Sequence, residues 1–313
     1  MRVSVIVCTY NRAKSIVKCL DSIAVSLTTA SPLAAEIVVV DNASTDETTV
    51  VVGSWADTTT WPVRVVTETN RGLSCARNCG IRASQGQLFV FTDDDCCLHP
   101  DYIKELLYYD DQDLDVVLRG GLVELGNPAD LPITIITLPT LTRWCRSANS
   151  ARHMNLGDTL IGCNLAMRRE VAEIVGPFDV RLGAGSRIPG GEDTDFIFRA
   201  YLAGVRLEYV PNLVVYHYHG RRAVADGKKL FQNYAMGGGA LFAKYAVRAP
   251  GLCRPIVWDV KNAIREVRCG SNLFMPSLGI SHKDKLKWYT VGAVRFVMAA
   301  TIDVVRQMVP YRG

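Results

Sequence analysis

Val3-Ser4-Val5-Ile6-Val7-Cys8-Thr9-Tyr10-Asn11-Arg12 opens on a run rich in β-branched residues and then breaks into polar side chains. A strand covered on both faces reads this way, apolar along its length rather than alternating. Residues 12–27 follow with Ile16, Leu20, Ile23 and Leu27 at helical spacing. The pattern then repeats. Glu36 to Val40 is a second strand ending at Asp41-Asn42, Val63 to Val66 a third ahead of Asn70-Arg71-Gly72, and Gln87 to Phe91 a fourth stopped by Asp93-Asp94-Asp95, with a helix expected over Ser74 to Ser84. Strand and helix alternating at this interval predict an α/β fold, a Rossmann-like, mostly parallel sheet flanked by helices. Ligands of such sheets collect beyond the carboxyl ends of the strands, where residues 9–12, 41–46, 70–71 and 93–95 would converge.

The rest of the chain reads differently. Residues 120–157 show few clear periods and are expected to form loops with short edge strands, followed by a strand from Leu160 to Met167 and a short helix from Glu170 to Val175. Gly183 to Gly191 reads as a mobile loop. A helix should run from Glu192 to Gly204, with strands at 205–210 and 213–218. Beyond Arg221 the pattern is helical, with breaks expected at Gly237-Gly238-Gly239, Pro250, Pro255, Gly270 and Pro276. In the last helix, expected to reach Val309, Arg295, Asp303 and Arg306 share one side and leave a broad apolar face. With the basic residues and aromatics of 283–289, that face suits a peripheral membrane contact, packing on the rest of the chain, or a homodimer.

The 313 residues are 49% hydrophobic and 21% charged, enough to build a core and unlike a disordered or coiled-coil chain. A net charge of +4 is too mild to indicate nucleic-acid binding, though it suits anionic phosphate compounds or an acidic membrane. Ten cysteines lack any CxxC pair and read as reduced, small core residues without ligand geometry. No charge-free stretch reaches membrane-spanning length and the opening apolar run is short for a signal peptide, so the expected location is cytoplasmic, including the inner face of the plasma membrane.

Four constellations carry chemistry. If the chain stays extended past the fourth strand, Asp93 and Asp95 point the same way and could share one divalent ion with diphosphate oxygens. An acidic turn capping the next helix accounts for the same residues. Glu192-Asp193-Thr194-Asp195 could present a general base or simply favour a helical first turn. Asp41 could accept from a base or ribose, or close an Asx turn. His217 and His219 share a parity, and either could join a carboxylate-bound metal. GxGxxG, GxxxxGK[ST] and GxSxG are absent, which argues against a dinucleotide oxidoreductase, a P-loop enzyme and an α/β-hydrolase.

In order along the chain, VSVIVCTYNR (3–12), IVVVDNASTDET (37–48), NRGLSCARNCGI (70–81), FVFTDDDCCLHP (89–100), GPFD (176–179), GGEDTDF (190–196) and VVYHYHG (214–220) resemble the inverting family-2 glycosyltransferases of GT-A fold. The resemblance spans about residues 3–220. It implies a GT-A catalytic domain over 1–220, with a nucleotide-sugar half (1–118) and an acceptor and catalytic half (119–220), followed by a helical C-terminal extension (221–313). It also implies a nucleotide-diphosphate sugar donor, Mn²⁺ or Mg²⁺, and a glycan or glycolipid acceptor in surface polysaccharide or glycolipid synthesis. Carried over by position, Thr9, Tyr10, Arg12, Asp41, Arg71 and Arg77 line the donor, Asp93 and Asp95 form the DxD metal pair, His217 is a further metal ligand, and Asp193 is the catalytic base. Cys96 departs from the pattern, since many relatives place another acid there. A UDP-sugar is the expected donor. A sugar-nucleotide pyrophosphorylase would need a glycine-rich basic loop where Thr9-Tyr10-Asn11 stands. A non-catalytic nucleotide-sugar scaffold would be marked by loss of Asp95 or Asp193, and both are present.

Overall fold

Four parallel strands grow from the N-terminal run: β1 (Val3–Thr9), β2 (Ala35–Asp41), β3 (Val63–Thr67) and β4 (Leu88–Asp93), in the order β3-β2-β1-β4. The computed structural model that shows them describes residues 1–145, 160–272 and 274–308, with the side chains of 305–308 left aside. Val3, Val5 and Val7 turn to one face, where they pack against α1 (Ile16–Thr29), α2 (Thr48–Ala56) and α4 (Tyr102–Asp110) through Ile16, Leu20, Val52 and Ile103. Ile6 and Val40 turn to the other face, against α3 (Leu73–Ala83). Covering both faces is what makes these strands continuously apolar. Their register sets Thr9 beside Asp41, Asp41 beside Thr67, and Cys8 beside Asp93, so the polar residues at the strand ends form one row.

The sheet continues beyond β4 as β8 (Leu165–Arg168), β6 (Val117–Leu125), β9 (Arg206–His217) and β5 (Cys96–Leu98), with β7 (Thr142–Trp144) also on β9. β6 and β9 run parallel, and the other pairings here are antiparallel. Three expectations change. Residues 117–125 are an inner strand rather than loop, which the weak strand propensity of Gly120-Gly121 conceals. Leu160 to Asn164 is turn, and the strand begins only at Leu165. The strands expected at 205–210 and 213–218 are one, because a register shift opposite Gly121–Val123 absorbs Pro211. The part of the expected loop over 146–157 lies outside the described residues, as do Val309 and the side chain of Arg306.

Across β6, β9 and β7 runs a charge ladder, buried at Arg119 and Glu208 and exposed at Arg143. Glu208, fully buried, accepts from Arg119 Nε at 2.5 Å and from Arg143 Nε at 2.6 Å, each its register partner on a neighbouring strand. Burial alone would push the Glu208 carboxyl up, but hydrogen bonds and charge from the two arginines hold it below its usual range. The ion pairs therefore stabilise the fold fully above the unfolded-state pKa, and that contribution is lost as pH falls through the depressed folded-state value. Glu208→Gln removes the carboxylate that Arg119 and Arg143 share, leaves Asp113 as the remaining acid on Arg119, and is expected to cost about 1.5–3 kcal/mol at pH 7. Urea titrations should show that gap closing on acidification; an equal gap at pH 7 and pH 3 would exclude the ladder as its source.

The chain divides into two units, Met1–Phe178 with Asp193–Gly220, and Asp179–Glu192 with Arg221–Gly313. Residues 179–192 fall within the stretch read as the acceptor half, yet they pack with the C-terminal helices. In that second unit α7 (Val224–Tyr245) runs straight through Gly237-Gly238-Gly239, where a break was expected. These glycines are sites of close approach. A Cβ on Gly239 would lie 2.0 Å from the Tyr289 carbonyl of α9 (His282–Met308), and one on Gly237 would lie 2.7 Å from Gly190. Pro255 opens α8 (Arg254–Cys269) rather than interrupting it, Gly270 ends it in the left-handed region, and Pro276 begins a short 3-10 turn. Trp288 and Tyr289 are buried instead of flanking an exposed face. The α9 charges are also engaged: Arg295 donates to the Arg187 carbonyl at 3.0 Å, and Asp303 meets Arg181 at 3.8 Å. Among the described residues, no helix is long and apolar enough to cross a membrane.

Candidate active site

Loops leaving the strand ends are stitched together by asparagines. Asn11, with φ +54°, donates its backbone N–H to Ser44 Oγ at 2.9 Å, and its side-chain oxygen accepts from Thr45 N at 2.8 Å. Asn42 donates to the Glu68 and Asn70 carbonyls at 2.9 and 2.8 Å and accepts from Gly72 N at 2.8 Å. That clamp fixes the loop carrying Arg71, whose guanidinium sits 3.3 Å above the Tyr10 ring. Tyr10 and Arg71, distant in sequence, thus make one flat cationic platform. Asp41 is buried and accepts from Ser44 N at 3.2 Å, three residues on, rather than two as in an Asx turn.

Asp93 closes β4, but the chain does not stay extended beyond it. Asp94 and Asp95 form a turn into β5, so the assumption that residues i and i+2 share one face fails here. Arg12, placed by resemblance at the donor, instead bridges Asp94 and Asp95 at 3.1 Å each. Arg77 is almost completely buried and meets Asp93 at 3.3 Å. His217 Nε2 lies 3.3 Å from Asp95 Oδ1. The side chains themselves therefore balance much of the acidic charge of this turn.

Burial raises Asp93, with Arg77 acting against the rise and Asp95 adding to it. Asp94 is pushed up to about 6, again chiefly by burial and against Arg12. For His217 burial favours the neutral ring, but the hydrogen bond to Asp95 and the surrounding acids outweigh it and lift the imidazole to about 9. Its other nitrogen, Nδ1, lies 3.1 Å from Thr134 Oγ1, and that hydroxyl donates to the Ile133 carbonyl at 2.6 Å. With its one hydrogen so committed, Thr134 accepts from Nδ1–H, which directs Nε2 to Asp95. Thr134 holds φ +57°, a conformation a β-branched residue adopts only at a cost of about 1–3 kcal/mol. His219 goes elsewhere, with Nε2 3.1 Å from the Leu131 carbonyl and Nδ1 3.9 Å from Asp130.

Asp193 stands in the first turn of α6 (Glu192–Leu202). Its Oδ2 accepts from Gly162 N at 2.9 Å and its Oδ1 from Thr194 N at 2.7 Å. Gly162 lies between Asp193 and Arg77: a Cβ there would lie 2.7 Å from Arg77 Nη2 and 3.0 Å from Asp193 Oδ2. Asp193, Arg77, Asp93, Asp95 and His217 consequently form one connected row drawn from α6, α3, the β4–β5 turn and β9. Asp195 is fully buried and accepts from Arg199 at 2.9 Å, a structural pairing within the helix. Gly162 and Thr134 had no signal in the sequence. Asn11 and Asn42 did, as polar residues just past strand ends, but their clamping role did not follow from that.

The cysteines depart from expectation. Among the described residues the ten form no disulfide, and Cys96, Cys163 and His217 bring a potential metal-ligating atom each to within 4.8 Å of one another. Cys96 and His217 are register partners across β5 and β9, while Cys163 comes from the turn before β8.

The chain is 31% identical over 216 residues to the glycosyltransferase AglE of Haloferax volcanii, and 27% identical over 222 residues to the succinoglycan biosynthesis protein ExoM of Rhizobium meliloti. Each match takes in 69% of this chain and 66% of the relative, just under two thirds of its length. A glucosyl-dolichyl phosphate glucuronosyltransferase of Haloferax volcanii is 27% identical, across 84% of this chain and 82% of that protein. The mannosyltransferase PcManGT of Pyrobaculum calidifontis, solved with GDP-Man and Mn²⁺, has a similar fold at TM-score 0.57 and 22% identity, covering 99% of this chain and 81% of that one. S. aureus TarS 1–349, solved with UDP, gives TM-score 0.55 at 20% identity, covering all of this chain and 93% of that one. These likenesses are of GT-A type and agree with the sheet order above. The profile of Glycosyl transferase family 2 matches residues 4–175, more than half of the chain, and the protein belongs to that family of glycosyltransferases.

Proposed function

We propose that the chain moves a sugar from a nucleotide-diphosphate sugar, a UDP-sugar in our reading, onto an acceptor hydroxyl with inversion at the anomeric carbon, in the synthesis of a surface polysaccharide or glycolipid. The observation that carries this reading is the row from Asp193 through Arg77 and Asp93 to Asp95 and His217. In it four carboxylates, Asp93, Asp94, Asp95 and Asp193, face three cations, Arg12, Arg77 and protonated His217. A diphosphate cannot join a cluster already short of positive charge unless another cation comes with it. Once His217 gives up its Nε2 proton to solvent, Asp95 and His217 offer a carboxylate oxygen and an imidazole nitrogen side by side, a donor pair that fits Mn²⁺ or Mg²⁺, with Asp93 nearby as a further oxygen donor. When bound, that ion supplies charge neutralisation for the departing diphosphate.

The rest is done by this chain's own groups. Thr9, Tyr10, Asp41 and Arg71 receive the nucleotide on the platform at the strand ends. Arg77, held by Asp93, faces the growing negative charge from a buried position where it is little screened. Arg12 keeps Asp94 and Asp95 in place. Asp193 has both oxygens oriented by backbone N–H groups and takes the proton of the attacking hydroxyl. Attack from the face opposite the leaving group inverts the centre in a single displacement. Residues 1–118 bind the donor in this reading, 119–220 carry base and acceptor, and 221–313 serve as the extension. The relatives, a succinoglycan biosynthesis protein and a glucosyl-dolichyl phosphate glucuronosyltransferase, support a polysaccharide or lipid-linked acceptor.

α8 adds a reason to place this work at the inner face of the plasma membrane. Val257, Val260, Ile264 and Val267 form an exposed apolar stripe, and Arg254, Lys261, Arg265 and Arg268 lie along its edge. A basic, amphipathic surface helix of this kind suits an anionic lipid interface. The decisive experiment is a panel of nucleotide sugars with Mn²⁺, scored for thermal stabilisation and for slow donor hydrolysis, with and without anionic vesicles. A UDP-sugar that stabilises the protein only with the dication is the expected result, and sedimentation with the vesicles the expected location. No stabilisation by any nucleotide sugar would overturn the donor reading. A stable dimer that ignores vesicles would assign the apolar faces to a homodimer instead.

A further inference from the structure

We propose that Cys96, Cys163, His217 and Asp95 form a second, thiophilic metal site, one that takes Zn²⁺ or a chemically similar soft dication and withdraws His217 and Asp95 from the donor's cation when filled. The two sulfurs and an imidazole nitrogen lie within 4.8 Å of one another, and all three residues are buried, with exposures of 0%, 2% and 6%. Asp95 Oδ1 supplies a fourth donor, 3.3 Å from His217 Nε2 and 3.9 Å from Cys96 Sγ. A tetrahedral zinc with sulfur at 2.3 Å has a sulfur-to-sulfur edge of roughly 3.8 Å, so the donors need close by only about 1 Å.

The donor chemistry selects the metal. Two sulfurs, one nitrogen and one oxygen suit zinc, whereas Mn²⁺ and Mg²⁺ prefer oxygen-rich sets. The scaffold is rigid where it matters. Cys96 and His217 are held opposite each other by the β5–β9 ladder, and Thr134 on Nδ1 fixes the ring so that Nε2 faces Asp95. Zinc binding sends the two thiol protons and the Nε2 proton to solvent. Filling this site and filling the hard site are mutually exclusive, because His217 and Asp95 serve both. That exclusivity rests on the function proposed above; the thiolate site itself does not.

The test uses the full chain under reducing conditions with Co²⁺ as a spectroscopic stand-in for Zn²⁺. The expected result is an intense tetrahedral ligand-field band with thiolate-to-cobalt charge transfer, at one ion per chain, bleached by added Zn²⁺. Cys163→Ser and Cys96→Ser, made separately, should each lose most of the charge-transfer intensity, while Cys145→Ser/Cys269→Ser at the exposed thiols keeps it. Weak octahedral bands in the wild-type protein, or charge transfer that follows the exposed thiols, would overturn the site without recourse to any variant. The second arm adds Zn²⁺ to the Mn²⁺-dependent reaction. At least a tenfold loss of rate is expected, shrinking to less than twofold in Cys163→Ser. Thiolate bands without zinc inhibition would overturn the exclusivity and keep the site. Thiolate bands in a protein that turns over no nucleotide sugar with any metal would overturn the function and keep the site.

Discussion

Asp193→Asn is expected to bind a nucleotide sugar with unchanged affinity and to transfer it about 10³-fold more slowly, the range over which a positioned general base acts. The substitution removes the basic oxygen and little else. An asparagine carbonyl still accepts from Gly162 N or Thr194 N, so the start of α6 keeps its geometry. The charge lost is not among those that hold Asp93 against Arg77 or Asp95 against His217. The loss should therefore fall on kcat and leave donor KM in place, the signature of a group acting only as the hydroxyl attacks. Thermal shifts with donor and dication, measured beside initial rates, separate the two. Normal turnover by this variant would remove Asp193 as base.

Asp95→Ala should have the opposite signature. Asp95 is the acid that Arg12, His217 and Cys96 all address. Its removal takes a carboxylate from the dication's donor set and frees His217 from the partner that lifts its imidazole to about 9. Donor binding that depends on Mn²⁺ is expected to disappear, with transfer falling below detection, while nucleoside binding without metal changes little because Tyr10, Arg71 and Asp41 are untouched. Isothermal titration of a nucleotide sugar with and without Mn²⁺ measures this directly. A variant in which Mn²⁺ still strengthens donor binding tenfold or more would show that the ion sits elsewhere.

How far the sequence carries is clearest at particular residues. β1 to β4 were legible because strands buried on both faces must be apolar throughout, and their polar ends followed from the same reasoning. β6 was hidden by Gly120-Gly121, and the long helix α7 by a glycine triplet that looks like a break but lets α9 approach. At Asp93-Asp94-Asp95 the end of the strand was legible, but the extended backbone beyond it was an assumption, and the chain turns there. Arg12 could be placed near the site and not assigned a partner, since pairing with Asp94 and Asp95 depends on a fold that brings β1 and β4 together. His217 and His219 are alike by strand parity and differ only in their neighbours, Asp95 for one and Asp130 with the Leu131 carbonyl for the other. Cys96, Cys163 and His217 are the extreme case: three elements contribute one residue each, and no spacing along the chain predicts their meeting.

The central claim is that acids from separate segments gather around one cation-bridged diphosphate. Its most direct measurement is a crystal structure of the protein with Mn²⁺ and a nucleotide sugar, with data collected at the manganese absorption edge. The predicted anomalous peak lies in bonding contact with Asp95 and His217, with the diphosphate on the Arg77 side and Asp193 opposite. A peak held by other side chains, or a nucleotide bound away from the ends of β1, β2 and β4, would contradict the account.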